Sequence, residues 1–201
     1  MRLHAPQPYT KHYMVWWGGD GHALAESYII TDVDLMLGRL DNFDPASVGE
    51  YPIFKDPASP IRQGTSLCRL GYPFPHIQVD FDAAANRFDF KAIALQSFAI
   101  DGILTRQMEV GTNAAGYKHV WLETSSPGLK GQSGGPIIDV DGTVWSVQAH
   151  TDSMSLDFDP AVPNDRTGRK EHQFLNVGRG AHPATIVGLL NEKHVSHVLG
   201  R

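Results

Sequence analysis

The chain has 201 residues, 41% of them hydrophobic and 19% charged, and a formal net charge of −5. That length suits one large domain or two small ones with a real core, and the lack of a basic patch argues against nucleic-acid binding. No apolar run approaches the ~18 residues of a membrane helix, and Cys68 is the only cysteine, so an internal disulfide framework is excluded.

Short apolar runs divided by turn signals dominate to about residue 150. Tyr13–Trp17 reads as a strand, Gly18–Gly21 as a hairpin turn, since glycine and aspartate tolerate positive φ, and Ala23–Ile30 as the returning strand. Asp34–Leu40 gives a third, with Leu35, Leu37 and Arg39 on one side and Met36 on the other. Residues 41–63 carry Pro45, Pro52, Pro57 and Pro60; proline cannot donate to a ladder, so this stretch reads as a connector. The strand pattern resumes over Ser66–Gly71, Ile77–Phe81, Phe88–Leu95, Phe98–Met108, His119–Leu122, Ile137–Val140 and Thr143–Ala149, the rhythm of a barrel or sandwich. Residues 152–172 are polar and irregular, as a surface insertion would be. Pro183 opens a helical pattern, Ala184–Val198.

The sharpest chemical signal is Gly131-Gln132-Ser133-Gly134-Gly135-Pro136. Glycines around a serine permit a tight turn and leave room for a substrate carbonyl. The string also satisfies Gly-x-Ser-x-Gly, the nucleophile elbow of α/β-hydrolases. That elbow needs a strand before the serine and a helix after it. Here Ser125-Ser126-Pro127-Gly128 precedes, Pro136 follows, and Ile137–Val147 reads as a β-hairpin with an Asp141-Gly142 turn.

Residues 123–151 resemble the nucleophile region of bacterial trypsin-like (chymotrypsin-fold) serine peptidases, and Gly64–Pro73 resembles the first strand of that family's second barrel. The resemblance spans roughly residues 4–151 and is strongest near Ser133. It implies an all-β fold: a chymotrypsin-like double β-barrel with an incomplete first barrel (1–44), a connector (45–63), a second barrel (64–182) bearing the insertion 152–172, and a C-terminal helix (183–201). It implies Ser133 as nucleophile and the N–H groups of Gly131 and Ser133 as oxyanion donors. Asp34-Leu35-Met36-Leu37 matches the family's aspartate strand, so Asp34 orients the histidine; Asp32 is the rival but lacks the apolar continuation.

The resemblance implies a histidine general base that precedes Asp34. His4 lies before the hairpin, as the family's order requires, whereas His12 is too close and His22 sits at the turn. His4 lacks the family's Thr-Ala-x lead-in, and no strand precedes it, so the first barrel is expected to lack strands or the true start to lie upstream. Met1–Pro8 has no secretory apolar run; taken as the true start it implies a cytoplasmic protein, and a missing upstream segment an exported one.

The family's primary pocket has its base at Pro127, where a Lys- or Arg-selecting enzyme would carry an acid. Ala149, His150 and Thr151 form the strand that would pair with substrate backbone. Gln132 replaces the acid that captures a freshly cut N-terminus, so activation through that ion pair is not expected. The remaining histidines, His194 and His197 included, form no metal set. The implied function is a serine endopeptidase acting on protein or peptide through an acyl-enzyme, with no cofactor, metal, nucleic-acid or membrane partner. The alternatives are a truncated or inactive homologue serving as a peptide-binding module, and an esterase on an unrelated fold.

Overall fold

The computed structural model describes residues 13–15, 21–73, 76–85, 87–94, 96–157, 161–168, 170–171 and 173–200. His4, His12 and the Gly18–Asp20 turn lie outside them. The chain divides into two compact units, Met1–Tyr51 and Pro52–Arg201, so the division falls inside the proline-rich stretch.

The first unit holds β1 (Tyr13–Val15), β2 (Gly21–Ile30) and β3 (Leu35–Leu40) in one antiparallel sheet with β2 central. Period-2 alternation buries Leu35 and exposes Met36, while Ile30 and Val33 complete the apolar side. A 3₁₀ turn over Thr31–Val33 joins β2 to β3 and ends on Asp34 in the left-handed region, φ 45° and ψ 47°, a conformation aspartate tolerates better than most side chains.

The second unit comprises β4 (Ile53–Lys55), β5 (Ser66–Gly71), β6 (His76–Asp82), β7 (Arg87–Ala94), β8 (Phe98–Thr112), β9 (Lys118–Thr124), β10 (Pro136–Ile138), β11 (Val144–Ser155), β12 (Val162–Pro163), β13 (Lys170–Glu171), β14 (Phe174–Ala181), helix α1 (Pro183–Glu192) and β15 (Val198–Gly200). β10 pairs with both β5 and β11. The order β10-β5-β8-β9-β14-β11 therefore closes on itself as a six-stranded antiparallel barrel. Its interior holds Leu67, Leu104, Leu122, Ile137 and Trp145, with Ile61 packed against them. Burying each such side chain stabilises the fold by roughly 1.5–3 kcal/mol. The expected all-β architecture with a C-terminal helix is thus present: a closed barrel in the second unit and, among the described residues, a three-stranded sheet in the first.

The Asp-Gly hairpin between β10 and β11 forms as expected. Gly142 has φ +81°, and Asp139 Oδ1 accepts the Asp141 and Thr143 N–H groups, both at 3.0 Å. Asp139 Oδ2 accepts the Trp145 indole N–H at 2.8 Å, fixing the ring at the barrel's end.

Four expectations need correction. Residues 53–55, inside the supposed connector, form β4 and pair in parallel with β11 and β15, because Pro52 and Pro57 flank the strand without interrupting it. Among the described residues β6 and β7 pair with each other as a separate hairpin and not with the barrel strands. Residues 152–155 are not irregular: β11 and β14 continue as paired arms to Ser155↔Phe174, with Ser153 and Ser155 on an exposed face and Asp152 and Met154 half-buried on the other. The helix stops at Glu192, short of Val198. His194 adopts φ 56°, the Val195 N–H bonds to Leu190 O at 2.8 Å and the His194 N–H to Asn191 O at 3.1 Å, a Schellman ending. Among the described residues no helix is long and apolar enough to cross a membrane.

Candidate active site

Ser133 sits on the loop leading into β10. Gln132 N–H bonds to Leu129 O at 3.0 Å and Gly135 N–H to Gln132 O at 2.9 Å, which closes two successive turns. Gly134 N–H to Gln148 O at 2.7 Å and Gln148 N–H to Gly135 O at 2.9 Å fasten them to β11. Gly131 adopts φ +97°, and a Cβ there would lie 2.5 Å from the Tyr72 carbonyl oxygen, so both conformation and space require glycine. Gln132 is fully buried: its Oε1 accepts the Leu129 N–H at 2.9 Å and its amide nitrogen donates to Phe98 O at 3.2 Å, pinning the loop to β8.

The result is an exposed Ser133 on a rigid turn. Its hydroxyl donates to the Ala149 carbonyl at 3.0 Å. Among the described residues, neither the Gly131 nor the Ser133 N–H has a protein acceptor. Two backbone donors flanking an exposed hydroxyl can hold a developing negative charge.

Ala149 is the extra residue of a β-bulge: Gln148 faces Gly180 and His150 faces Arg179 across the ladder. Such a bulge re-aims backbone groups, and the Ala149 carbonyl meets Ser133 here. The His150 ring packs edge-on against Trp121 at 4.8 Å between centroids. Thr151 Oγ1 donates to Gly128 O at 2.6 Å. The structure therefore brings Ser133 together with Ala149, and Thr151 together with the Pro127–Gly128 segment. Asp34 belongs to the first unit, where it is exposed and has no side-chain hydrogen bond to a described residue; Asp32 does take part in a polar, ring or electrostatic interaction.

Sequence reasoning passed over Arg69 and Gln148. Arg69 is 1% exposed. Its Nε donates to Gln148 Oε1 at 2.6 Å, Nη1 to the Pro127 and Ser126 carbonyls at 2.8 and 3.1 Å, and Nη2 to Thr124 Oγ1 at 2.6 Å. Gln148 donates in turn to His150 O at 2.9 Å. The signal was available: Arg69 lies two residues after Leu67 and so shares its inward phase, where a charge is out of place. On the barrel's other face Glu123 accepts from Arg106 through both oxygens, from Thr105 and from Arg179, while Arg179 also pairs with Asp152. Burial pushes the Glu123 carboxyl up, yet these hydrogen bonds hold it below the ordinary glutamate value. Among the described residues no group of three or more His, Cys, Asp or Glu side chains is arranged to hold a metal.

The chain is similar to the crystal structure of the Rv3671c protease from M. tuberculosis in its active form, with a TM-score of 0.49 and 15% identity, covering 92% of this chain and 64% of that one. This chain thus spans less than two thirds of that structure's length. An inactive form of a serine-to-alanine mutant of Rv3671c gives a TM-score of 0.47 at 16% identity, covering 91% of this chain and 70% of that one. No family model matches the chain, and no curated protein matches it. Likeness of this depth leaves the chemistry to be read from the residues themselves.

Proposed function

We propose that the chain is a serine endopeptidase with Ser133 as its nucleophile. The observation that carries this reading is the exposed Ser133 hydroxyl on a turn whose Gly131 and Ser133 N–H groups have no acceptor among the described residues. In the first step Ser133 Oγ attacks the peptide carbonyl and its proton passes to the general base. The oxyanion takes hydrogen bonds from the two N–H groups. Collapse expels the amine, which leaves with that proton, and water then hydrolyses the acyl-enzyme. In this reading His4 is the base and Asp34 orients it; the matching aspartate strand supports Asp34, and the chain order supports His4.

A fluorophosphonate probe followed by peptide mapping tests the proposal. Label is expected on Ser133 and should vanish in Ser133→Ala while the circular dichroism spectrum is kept. Labelling rates should fall by roughly 10⁴-fold in His4→Ala and in Asp34→Ala. Asp32→Ala should leave them unchanged; the reverse pattern for the two aspartates would reassign the orienting role.

A second reading, a peptide-binding module without catalysis, is favoured by one observation. The Ser133 proton is engaged by the Ala149 carbonyl, which cannot act as a base. Absence of label together with retained peptide binding would select that reading.

A further inference from the structure

Among the described residues Arg69 is a buried cation without an anion. Each of its hydrogen bonds goes to a neutral acceptor: the Gln148 and Thr124 side chains, the Ser126 and Pro127 carbonyls and, at 3.4 Å, the Ser126 hydroxyl. The acidic residues Asp101 and Glu123, on the neighbouring strands β8 and β9, are out of phase with it. Glu123 lies on the opposite face of β9 from Thr124 and is taken by Arg106 and Arg179. Asp101 stands across from Cys68, one position out of phase with Arg69, and is exposed. Burial draws the guanidinium pKa down to about 10, and the one acidic group opposing that is the Cys68 thiol. Neutral acceptors satisfy four of its five N–H groups but leave the charge uncancelled in a low-dielectric interior, which is costly unless an anion joins it.

The position of this charge gives it a use. Arg69 holds the Ser126–Pro127 segment, the expected base of the primary pocket, on one side. On another it grips Gln148, which leads into the strand expected to pair with substrate. Behind it runs Gly178, so close that a Cβ there would overlap Nη2. Gly178 in turn pairs with Thr151. The guanidinium therefore lies at the junction of the Ser126–Pro127 segment and the strands that carry Gln148 and Gly178, all of them within the second unit. Four of its five N–H groups can be assigned to the acceptors above, leaving one on Nη2.

We propose that Arg69 makes the floor of this pocket electropositive and that the enzyme cleaves after acidic residues, the substrate carboxylate supplying the missing anion. The inference rests on the peptidase reading and narrows its substrate class. It also gives a positive reason, beyond the missing acid at Pro127, why a lysine or arginine side chain is refused: a cation would be driven against a buried cation.

The test uses the full chain and peptides that differ only at the residue before the scissile bond: Glu, Gln, Ala, Leu and Lys. Active sites are first titrated with the fluorophosphonate, so that failure of the peptidase reading appears as absence of label. With label present, kcat/KM for the Glu peptide is expected to exceed that for its Gln isostere by at least about tenfold, with Lys slowest. Equal Glu and Gln rates, or a preference for Ala or Leu, would overturn the inference while leaving Ser133 as nucleophile. With label absent, fluorescence anisotropy on the same protein compares fluorescein-tagged Glu and Gln peptides, and a Kd ratio below about threefold overturns it. Arg69→Gln should erase the Glu preference and Arg69→Lys should keep part of it. If neither variant folds, the wild-type Glu-to-Gln ratio still decides.

Discussion

Gly131 shows most plainly how one residue's backbone sets the chemistry. Its φ of +97° turns the chain so that, among the described residues, the Gly131 and Ser133 amides on either side of Gln132 find no acceptor, and the Tyr72 carbonyl occupies the space a side chain would need. Gly131→Ala should therefore destabilise the protein by about 1–3 kcal/mol in urea unfolding and slow labelling of Ser133. A variant as stable and as reactive as the parent would show that the turn has another conformation of equal energy. Gln132 acts on the same turn from inside. The sequence marks it only as the residue in place of an acid; its buried amide is what fixes the loop to β8.

At the scale of the element, helix α1 is built around a buried histidine. His182 caps it, its Nδ1 accepting the Ala184 N–H at 3.0 Å, which puts the proton on Nε2. Nε2 is buried without a hydrogen-bond partner among the described residues. Burial lowers the ring's pKa from 6.5 to about 4. The unfolded chain therefore takes up the proton first as pH falls. The stability from neutral His182 is fully present above pH 6.5 and is lost progressively as pH falls toward 4, up to about 3 kcal/mol. His182→Asn keeps a capping side chain and removes the titration. The slope of Tm against pH between 6.5 and 4 should be shallower in the variant than in the parent. Parallel slopes would mean that the folded protein takes up the proton on this ring as readily as the unfolded chain does. Thr185 secures the same helix to β9, accepting the Val120 N–H and donating to Lys118 O, both at 2.9 Å.

For the whole molecule the contrast is between a closed sheet and an open one. The barrel of the second unit has every strand paired on both sides at some point along its length, so opening one strand breaks two ladders. The first unit's β3 pairs on one side only among the described residues. Amide exchange should accordingly be slowest in β9, β14 and the first half of β11, and faster in β2 and β3. Equal protection of the two units would show that they open together. Trypsin should cut within the second unit first at Arg166, which is exposed on the turn capped by Asn164, beyond the paired arms of β11 and β14. A first cut inside the barrel strands would contradict the closed topology.

What the sequence determined by itself was local. Alternation put Leu35 and Met36 on opposite sides of their strand because period 2 is a property of any strand; Asp141-Gly142 announced its hairpin through turn chemistry; the glycines around Ser133 announced a tight turn. Those signals need only neighbours in the chain. The tertiary structure alone decided what depends on partners far apart in sequence. Closure of the barrel required β10 to meet both β5 and β11. The short proline-bounded β4 became a strand because β11 and β15 supplied partners. Helix α1 ended where His194 turned left-handed to feed β15. The charge of Arg69 acquired its meaning from Gln148, 79 residues away. Long-range pairing carries no periodic trace in the strands that take part in it, because each ladder position is filled by backbone, and backbone is the same in every residue but proline.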